Sequence, residues 1–250
     1  MLNVYFFQKN SGPAAARKYG VELSIGEFIQ FIDADDFIGD EKFKKEIELF
    51  ILNPKIDVVY SQYSFVNNDL KVFWTDDKKW LTMSKTPFID LVKHWEAGLM
   101  IPIHCYLFKK ECFLSFGSFD TSFKTHEDWD LNLNFSLNGV KYLYHHYIGA
   151  YYRIHSNSSS RSDLTLNRID TLNVLVKYLY HPKVFLLYKV ILINRYSQFI
   201  VDFVIEKILY RRIRLIAVLK NRAPLGLKFY ATIFFPLYLI RKIYNKVFGK

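Results

Sequence analysis

A short apolar run that ends in a cluster of acidic residues constrains this chain most. In FIQFIDADDFIGD (residues 28–40), apolar residues suited to burial are followed at once by Asp33, Asp35 and Asp36. Carboxylates this close repel one another, which indicates that a cation lies among them. The pair Asp33 and Asp35 has the Asp-x-Asp form, and Mg²⁺ takes one or two carboxylates together with substrate phosphates. The pattern therefore predicts a metal site at the carboxyl end of a buried strand, where open α/β sheets bind ligands; the alternative is a solvated acidic turn that caps the next helix.

The first 160 residues show the mixture of strand and helix patterns that is typical of an α/β fold. A helix is predicted after Asp40, which would be its N-cap residue. Its apolar residues recur at the helical positions Phe43, Ile47 and Phe50. Strands rich in β-branched and aromatic residues are predicted at residues 56–66 and 141–154.

The two parts of the chain differ in charge. Residues 1–160 contain 17 basic and 20 acidic residues, whereas residues 161–250 contain 17 basic and only 4 acidic residues. The serine- and asparagine-rich segment HSNSSSRSD (155–163) is the predicted linker. We therefore expect an α/β domain at 1–160 and a basic helical tail at 161–250. The charge of the tail indicates a separate anionic partner, either nucleic acid or a membrane surface.

Composition excludes several classes of protein. Apolar residues make up 51% of the chain and aromatic residues 18%, so an intrinsically disordered chain is excluded. The first ten residues lack the basic region and the cleavage site of a signal peptide, so no secretory leader is expected. The cysteines Cys105 and Cys112 are too few for a metal cluster or a disulfide framework, and a reducing cytosol is the expected compartment.

The segment NSGPAAARKYG (residues 10–20) combines a turn with the start of a helix. Pro13 suits the first helical turn, and Arg17 follows within the next turn. A cation at that place can meet an anionic ligand. The alternative, an ordinary capped surface helix, is favoured by the pattern alone.

The segment THEDWD (residues 125–130) offers carboxylates that can act as a general base, or that form an ordinary acidic helix N-terminus. From Trp129 to Leu137, apolar and polar residues alternate strictly, which is a strand pattern. A helix that ends at Gly139 is the alternative. Further on, YYRIHSNSS (151–159) supplies an arginine and a histidine, and a lone histidine is more often structural than a ligand.

In this order, the segments resemble those of the family 2 glycosyltransferases, nucleotide-sugar enzymes with the GT-A fold. The matching segments are NSGPAAARKYG, FIDADD, FGSFDTSFKTHEDWDL and YYRIHSNSSS, which lie between residues 3 and 160. The resemblance implies a GT-A-like, Rossmann-like and mostly parallel sheet with flanking helices. It also implies that EDWDL is helical, against its alternation.

The resemblance implies a role for each matching residue. The ligands of a divalent metal, Mn²⁺ or Mg²⁺, would be Asp33, Asp35 and His155. The donor nucleotide sugar would also be bound by Gly12 and Arg17. The catalytic base would be Asp128, with Glu127 beside it. The acceptor side would include Trp129 and Arg153.

The implied reaction is an inverting sugar transfer to a glycan or lipid-linked acceptor in bacterial surface polysaccharide or cell-envelope glycan synthesis. The base would take the proton of the acceptor hydroxyl, and the metal would neutralise the leaving diphosphate. The family's first strand–helix–strand unit, with its DDGS-like turn, has no counterpart in this sequence, so an N-terminally truncated domain is expected. The alternative function is a catalytically inactive fragment that acts as a binding or scaffold subunit, or the product of a broken gene.

The basic tail is expected to contact a membrane. Lys207, Arg211 and Arg214 recur at helical spacing, and the apolar run at 229–240 is only twelve residues long, too short to span a bilayer. That run suits an interfacial helix on anionic lipid at the cytoplasmic face of the cell membrane. The alternative is a basic helical subdomain packed on the core. Nucleic acid is not expected as a partner, because no reader motif is present.

Overall fold

The computed structural model describes residues 4–75, 82–95, 98–154 and 164–209. The chain divides into two compact units, Met1–Asp170 and Thr171–Lys250. The elements up to residue 154 are, in chain order, α1 (Pro13–Leu23), β1 (Phe28–Gln30), β2 (Phe37–Ile38), α2 (Lys42–Leu52), β3 (Val58–Val66), β4 (Val72–Thr75), α3 (Pro87–His94), β5 (Tyr106–Lys109), α4 (Glu111–Phe116), α5 (Glu127–Leu137) and β6 (Tyr142–Arg153). A 3₁₀ turn at Ile103–Cys105 precedes β5, and α6 (Leu164–Leu179) and α7 (Leu186–Leu209) follow β6. The predicted linker, 155–163, lies outside the described residues.

The sheet of the first unit is mixed, and not mostly parallel as the resemblance implied. Its strand order is β1-β5-β3-β6-β2, and β4 pairs with β3. Among the described strands only β3 and β6 pair in parallel, and the other four pairings are antiparallel. The prediction failed because β2, β4 and β5 are two to four residues long, too short to show a period in the sequence. The strands β1, β3 and β6 nevertheless run in one direction, so their carboxyl ends reach the same edge of the sheet.

Aromatic packing holds the chain where it leaves β1 for the acidic motif. Phe31 is buried, and its ring centroid lies 5.1–6.0 Å from those of Phe108, Phe113 and Phe119. Edge-to-face ring pairs at such distances stabilise the structure beyond the burial of apolar area. This packing fixes the place from which the carboxylates of Asp33 onward project.

Helix α2 buries a different face from the one that its sequence predicted. Phe50 is buried as expected, but Phe43 and Ile47 are exposed. The residues buried in the preceding turns are Lys42 and Glu46, whose charged groups lie 2.6 Å apart. The apolar spacing gave a wrong prediction because a lysine and a glutamate four residues apart can compensate each other's charge and be buried together.

The start of α2 also differs from its prediction. Its N-cap residue is Glu41, whose side chain makes no capping hydrogen bond, and not Asp40. A carboxylate at either position is still favourable, because a helix N-terminus carries partial positive charge.

The segment EDWDLNLNFSL forms helix α5, as the resemblance implied and against the strand pattern of its sequence. The helix ends at Leu137, and Gly139, two residues further on, has a φ of 80°. The Gly139 N–H donates to the carbonyl of Ser136, and the Val140 N–H donates to the carbonyl of Phe135. This is the Schellman pattern of helix termination, which requires a left-handed residue and therefore favours glycine.

The described part of the second unit consists of the end of α6 and helix α7. Helix α7 buries one face at helical spacing, with Leu192, Tyr196 and Phe199. No helix in the described ranges is long and apolar enough to cross a membrane. Most of the tail on which the membrane prediction depends, residues 210–250, lies outside the described residues.

Candidate active site

One arginine joins the two acidic motifs of the first unit. The Arg17 guanidinium lies 2.6 Å from the Asp33 carboxylate through Nη2 and binds the Glu127 carboxylate through Nη1. These residues belong to α1, to the loop after β1 and to the start of α5, so the fold joins three segments that are separate in sequence. The side chains of Arg17 and Glu127 are largely buried, whereas that of Asp33 is 44% exposed. Within the described structure, the cation that neighbours Asp33 is therefore the Arg17 guanidinium.

The turn before α1 positions Arg17 at this site. The Asn10 side chain accepts a hydrogen bond from the Gly12 N–H at 3.1 Å, and Gly12 has a φ of 90°, which favours glycine. Pro13 occupies the first helical turn as predicted. The Arg17 guanidinium, one turn further on, also lies 5.9 Å from the ring centroid of Phe119. Gly12 thus contributes through the backbone turn that it permits.

The buried charges of this site shift one another's pKa. Burial opposes the charge of Arg17, but the carboxylates of Asp33 and Glu127 outweigh it and raise the arginine's pKa above its ordinary value. Burial raises the pKa of Asp128, and the charge of Arg17 offsets only part of that rise. The pKa of Glu127 is also raised, first by burial and then by the charge of Asp128. A carboxylate with a raised pKa binds a proton more readily, as a general base must.

The two acids at the start of α5, Glu127 and Asp128, differ in the partners that their carboxylates bind. The Glu127 carboxylate is bound by Arg17. The Asp128 carboxylate accepts the backbone N–H of Trp129 at 2.8 Å and forms no ion pair with any residue that the structure describes. Asp128 is therefore the acid that is better placed to take a proton from a ligand.

The Trp129 side chain belongs to the core, and the acceptor-side role predicted for it stays a prediction. It is fully buried, its Nε1 donates to the Leu91 carbonyl at 3.1 Å, and its ring stacks on that of Trp95 with centroids 5.5 Å apart. Trp95 Nε1 in turn donates to Nδ1 of His126 at 3.4 Å. His126 directly precedes the two acids and has a φ of 62°, which is uncommon for a residue with a side chain. The stacked tryptophans thus support the unusual backbone from which the two acids project.

The third acid of the Asp-x-Asp-Asp motif, Asp36, is an anchor rather than a ligand. Its Oδ1 accepts the backbone N–H of Arg153 at 2.8 Å, and its Oδ2 lies 3.1 Å from Nδ1 of His104. Both side chains of the Asp36–His104 pair are buried. The Asp36 N–H donates to the Asp33 carbonyl at 3.1 Å. Asp36 therefore fastens the acidic turn to β6 and to the 3₁₀ turn, a role that the sequence did not reveal because His104 belongs to no motif.

Two predicted residues at the end of β6 have different outcomes. The Nε of Arg153 is buried and has no hydrogen-bond partner among the described residues, so the side chain can still donate to an anion or a hydroxyl group. Its acceptor-side role stays a prediction. His155, the predicted third metal ligand, lies outside the described residues.

The residues present fit a divalent metal that takes its other ligands from water and from substrate phosphates. In the ranges that the structure describes, no group of three His, Cys, Asp or Glu side chains is placed to hold a metal ion. Asp33 and Asp35 are both partly exposed and offer carboxylate oxygens. Mg²⁺ binds through one or two carboxylates, water and substrate phosphates. The metal site therefore stays a prediction, which the type of ligand supports.

The chain is similar in sequence to several glycosyltransferases and glycan biosynthesis proteins. The model of the family described as glycosyltransferase like family 2 matches residues 2–184. An uncharacterized glycosyltransferase of Haemophilus influenzae is 35% identical over 80 residues, which are 31% of this chain and 32% of that protein. The succinoglycan biosynthesis protein ExoU of Rhizobium meliloti is 27% identical over 179 residues, which are 66% of this chain and 50% of ExoU. The chain thus spans half or less of the length of these relatives.

In fold, the chain is similar to S. aureus TarS in its complex with UDP-GlcNAc. The TM-score is 0.54, with 14% sequence identity, and the match covers 87% of this chain and 58% of the TarS chain. At this identity the likeness shows the fold alone, an α/β fold with a mixed sheet flanked by helices.

Proposed function

Because the chain belongs to the glycosyltransferase like family 2, we propose that it transfers a sugar from a nucleotide-sugar donor to an acceptor hydroxyl. The observation that carries the proposal is the Arg17 bridge between Asp33 and Glu127. The bridge joins Asp33, one residue of the Asp-x-Asp pair proposed to hold a metal-bound diphosphate, to the first of the acids of α5 proposed for proton transfer. Two reacting groups bound at adjoining places react faster than they do in solution.

The substrate classes are proposed from the proteins that the chain is similar to. TarS forms a complex with UDP-GlcNAc, and ExoU is named for succinoglycan biosynthesis. We therefore propose a UDP-sugar as donor and a glycan or lipid-linked acceptor in cell-envelope glycan synthesis.

Asp128 is the proposed base. As the acceptor oxygen bonds to the anomeric carbon, the bond from that carbon to the diphosphate oxygen breaks and Asp128 takes the hydroxyl proton. Attack opposite the leaving diphosphate inverts the configuration at that carbon. Glu127 is the weaker candidate for this role, because Arg17 already binds its carboxylate.

Arg17 is proposed to organise the donor side. It holds the Asp33 carboxylate in place, and its positive charge lies near the developing charge of the leaving group. A divalent metal bound by Asp33 and Asp35 would supply further neutralisation of the diphosphate charge.

We further propose that the basic part of the chain lies on the cytoplasmic face of an anionic membrane. The 17 basic residues of 161–250 outnumber the acidic residues, of which there are 4, and each basic residue near such a surface contributes about 1 kcal/mol of attraction. No nucleic-acid partner is proposed.

Incubation of the purified chain with UDP-sugars and Mn²⁺ tests the proposed reaction. UDP release that an acceptor glycan accelerates and that EDTA stops would support the proposal. Donor binding in calorimetry without UDP release would indicate a binding subunit instead. Neither binding nor release with any nucleotide sugar would overturn the proposal.

A further inference from the structure

An exposed apolar patch lies where α6 ends and α7 begins. Its members are large apolar or aromatic side chains that are 45–79% exposed: Tyr180, Phe185, Leu186, Leu187 and Val190. We call these five residues the apolar patch. Four of the five lie within six consecutive residues, 185–190, and exposed apolar side chains that lie together mark interaction sites more often than isolated ones do.

The geometry of α7 separates the apolar patch from the buried side of the same helix. Leu186, Leu187 and Val190 fall on one side of the first turns of the helix, at spacings of one and four residues. Leu192 and Tyr196 fall on the opposite side and are buried. The helix is therefore apolar on two faces, of which one is buried within the protein and the other is open to a partner.

The charge around the apolar patch indicates what that partner is. From Thr171 to Val201 the sequence contains four basic residues and no acidic residue. Two of the basic residues adjoin the apolar patch: Lys183 is exposed and precedes Phe185, and Lys189 lies in the first turn of α7. Exposed apolar side chains with lysines at their border are typical of surfaces that enter an anionic bilayer interface.

Helix α2 provides a contrast within the same chain. Ile51 and Leu52 at its end are 73% and 68% exposed, as much as the residues of the apolar patch. Glu41 and Glu48 lie among the basic residues of that helix region, so its charge is mixed. An anionic surface is therefore not expected to attract α2.

We propose that the apolar patch is the surface by which this chain docks on an anionic lipid bilayer. Phe185, Leu186 and Leu187 enter the boundary between headgroups and acyl chains, and Lys183 and Lys189 pair with lipid phosphates. The lysine stems lie along the apolar surface while their charged ends stay in the headgroup layer. The inference rests on the proposed membrane association and names the contact that produces it.

A tryptophan probe in the full chain tests the contact locally. Leu186→Trp is compared with Ile51→Trp, and both are corrected for the signal of the unaltered chain with its four tryptophans. With vesicles that contain phosphatidylglycerol and brominated lipid, we expect quenching of the probe at 186 and none at 51. Vesicles of phosphatidylcholine alone should quench neither probe.

Substitution of the apolar patch gives a second measurement. The double variant Leu186→Ser/Leu187→Ser should bind anionic vesicles about tenfold more weakly or worse, whereas Ile51→Ser/Leu52→Ser should bind them as the unaltered chain does. Lys183→Glu/Lys189→Glu should also weaken binding to anionic vesicles. Added salt should weaken the vesicle binding of the unaltered chain more than that of this variant.

The possible outcomes separate this inference from the proposals on which it depends. If the chain binds vesicles but the probe at 186 is not quenched, the apolar patch is not the docking surface, although membrane association stands. If the probe at 186 is shielded from iodide before lipid is added, the apolar patch is covered within the protein. That result would also overturn its proposed docking role. If the unaltered chain binds no vesicles, both membrane proposals fail, while sugar transfer is decided by the separate UDP-release assay.

Discussion

Two charged clusters in the first unit each combine a basic residue with acids, and they differ in how far the protein satisfies them. Lys42 and Glu46 are fully buried, and Lys42 Nζ lies 2.6 and 2.7 Å from the two carboxylate oxygens and 2.9 Å from a backbone carbonyl. Arg17 instead divides its guanidinium between Asp33 and Glu127, and Asp33 stays 44% exposed. A pair whose partners are all inside the protein supports the fold, whereas a cluster open on one side can accept a ligand.

The pKa values show that burial alone does not identify a functional site. Burial raises the pKa of Glu46 to about 7 and lowers the pKa of Lys42, although the two residues are paired. Burial raises the pKa of Asp128 in the same way. The distinguishing feature is the exposed carboxylate of Asp33 next to the acids of α5, which gives a ligand access.

The largest expected effect is on stability, at the closed cluster. Lys42→Met leaves the Glu46 carboxylate buried without its partner, so the free energy of unfolding should fall by about 3–5 kcal/mol. The double variant Lys42→Met/Glu46→Leu removes both charges and should recover most of that loss. Urea unfolding followed by circular dichroism measures both.

An exposed pair on the same helix region serves as the control. Lys44 and Glu41 lie 3.4 Å apart with most of both side chains in solvent. Lys44→Met should leave stability nearly unchanged, because surface ion pairs contribute little. A Lys42→Met variant as stable as Lys44→Met would remove the distinction between the closed cluster and the surface.

The next effect is on turnover, at the open cluster. Asp128→Asn should reduce the rate of sugar transfer by about a hundredfold or more, since the acceptor hydroxyl then loses its base, while the affinity for the donor should change little. The exposed Asp69→Asn is the matched control. A severe loss in Glu127→Gln together with a mild one in Asp128→Asn would assign the base to Glu127.

A smaller effect is expected on the pH dependence of transfer. The positive charge of Arg17 lowers the pKa of Asp128, so Arg17→Met should raise that pKa further. Because the base acts only when deprotonated, the acidic limb of kcat/KM should move to higher pH. Lys18→Met removes the same charge from an exposed position on α1 and should leave the limb where it was. An unmoved limb in Arg17→Met would show that Arg17 does not tune the base.

The sequence predicted the parts of the site that are contiguous in the chain, and missed the parts that only the fold brings together. The motif from Asp33 to Asp36 and the adjacent acids Glu127 and Asp128 are short patterns, so both could be recognised directly in the sequence. The Arg17–Glu127 contact joins residues 110 positions apart, and no local pattern predicts such a contact. The anchoring of Asp36 by His104 was missed for the same reason.

The fold shows the same limit. The long strands β3 and β6 and the helix α1 were predicted, because runs of nine or more residues show a clear pattern. The short strands β2, β4 and β5 were not, so the sheet was taken as mostly parallel. In α2 two of the three recurring apolar residues, Phe43 and Ile47, lie on the outer face, because the Lys42–Glu46 pair occupies the inner one.

Mn²⁺ binding in the presence of UDP tests most directly whether the open cluster is a ligand site. Calorimetry should show binding to the unaltered chain, no binding to Asp35→Asn and almost none to Asp33→Asn, because each variant removes one of two carboxylates on partly exposed residues. Asp40→Asn, an exposed acid beyond the motif, should bind Mn²⁺ as the unaltered chain does. Equal Mn²⁺ affinity in the unaltered chain, Asp33→Asn and Asp35→Asn would contradict the account.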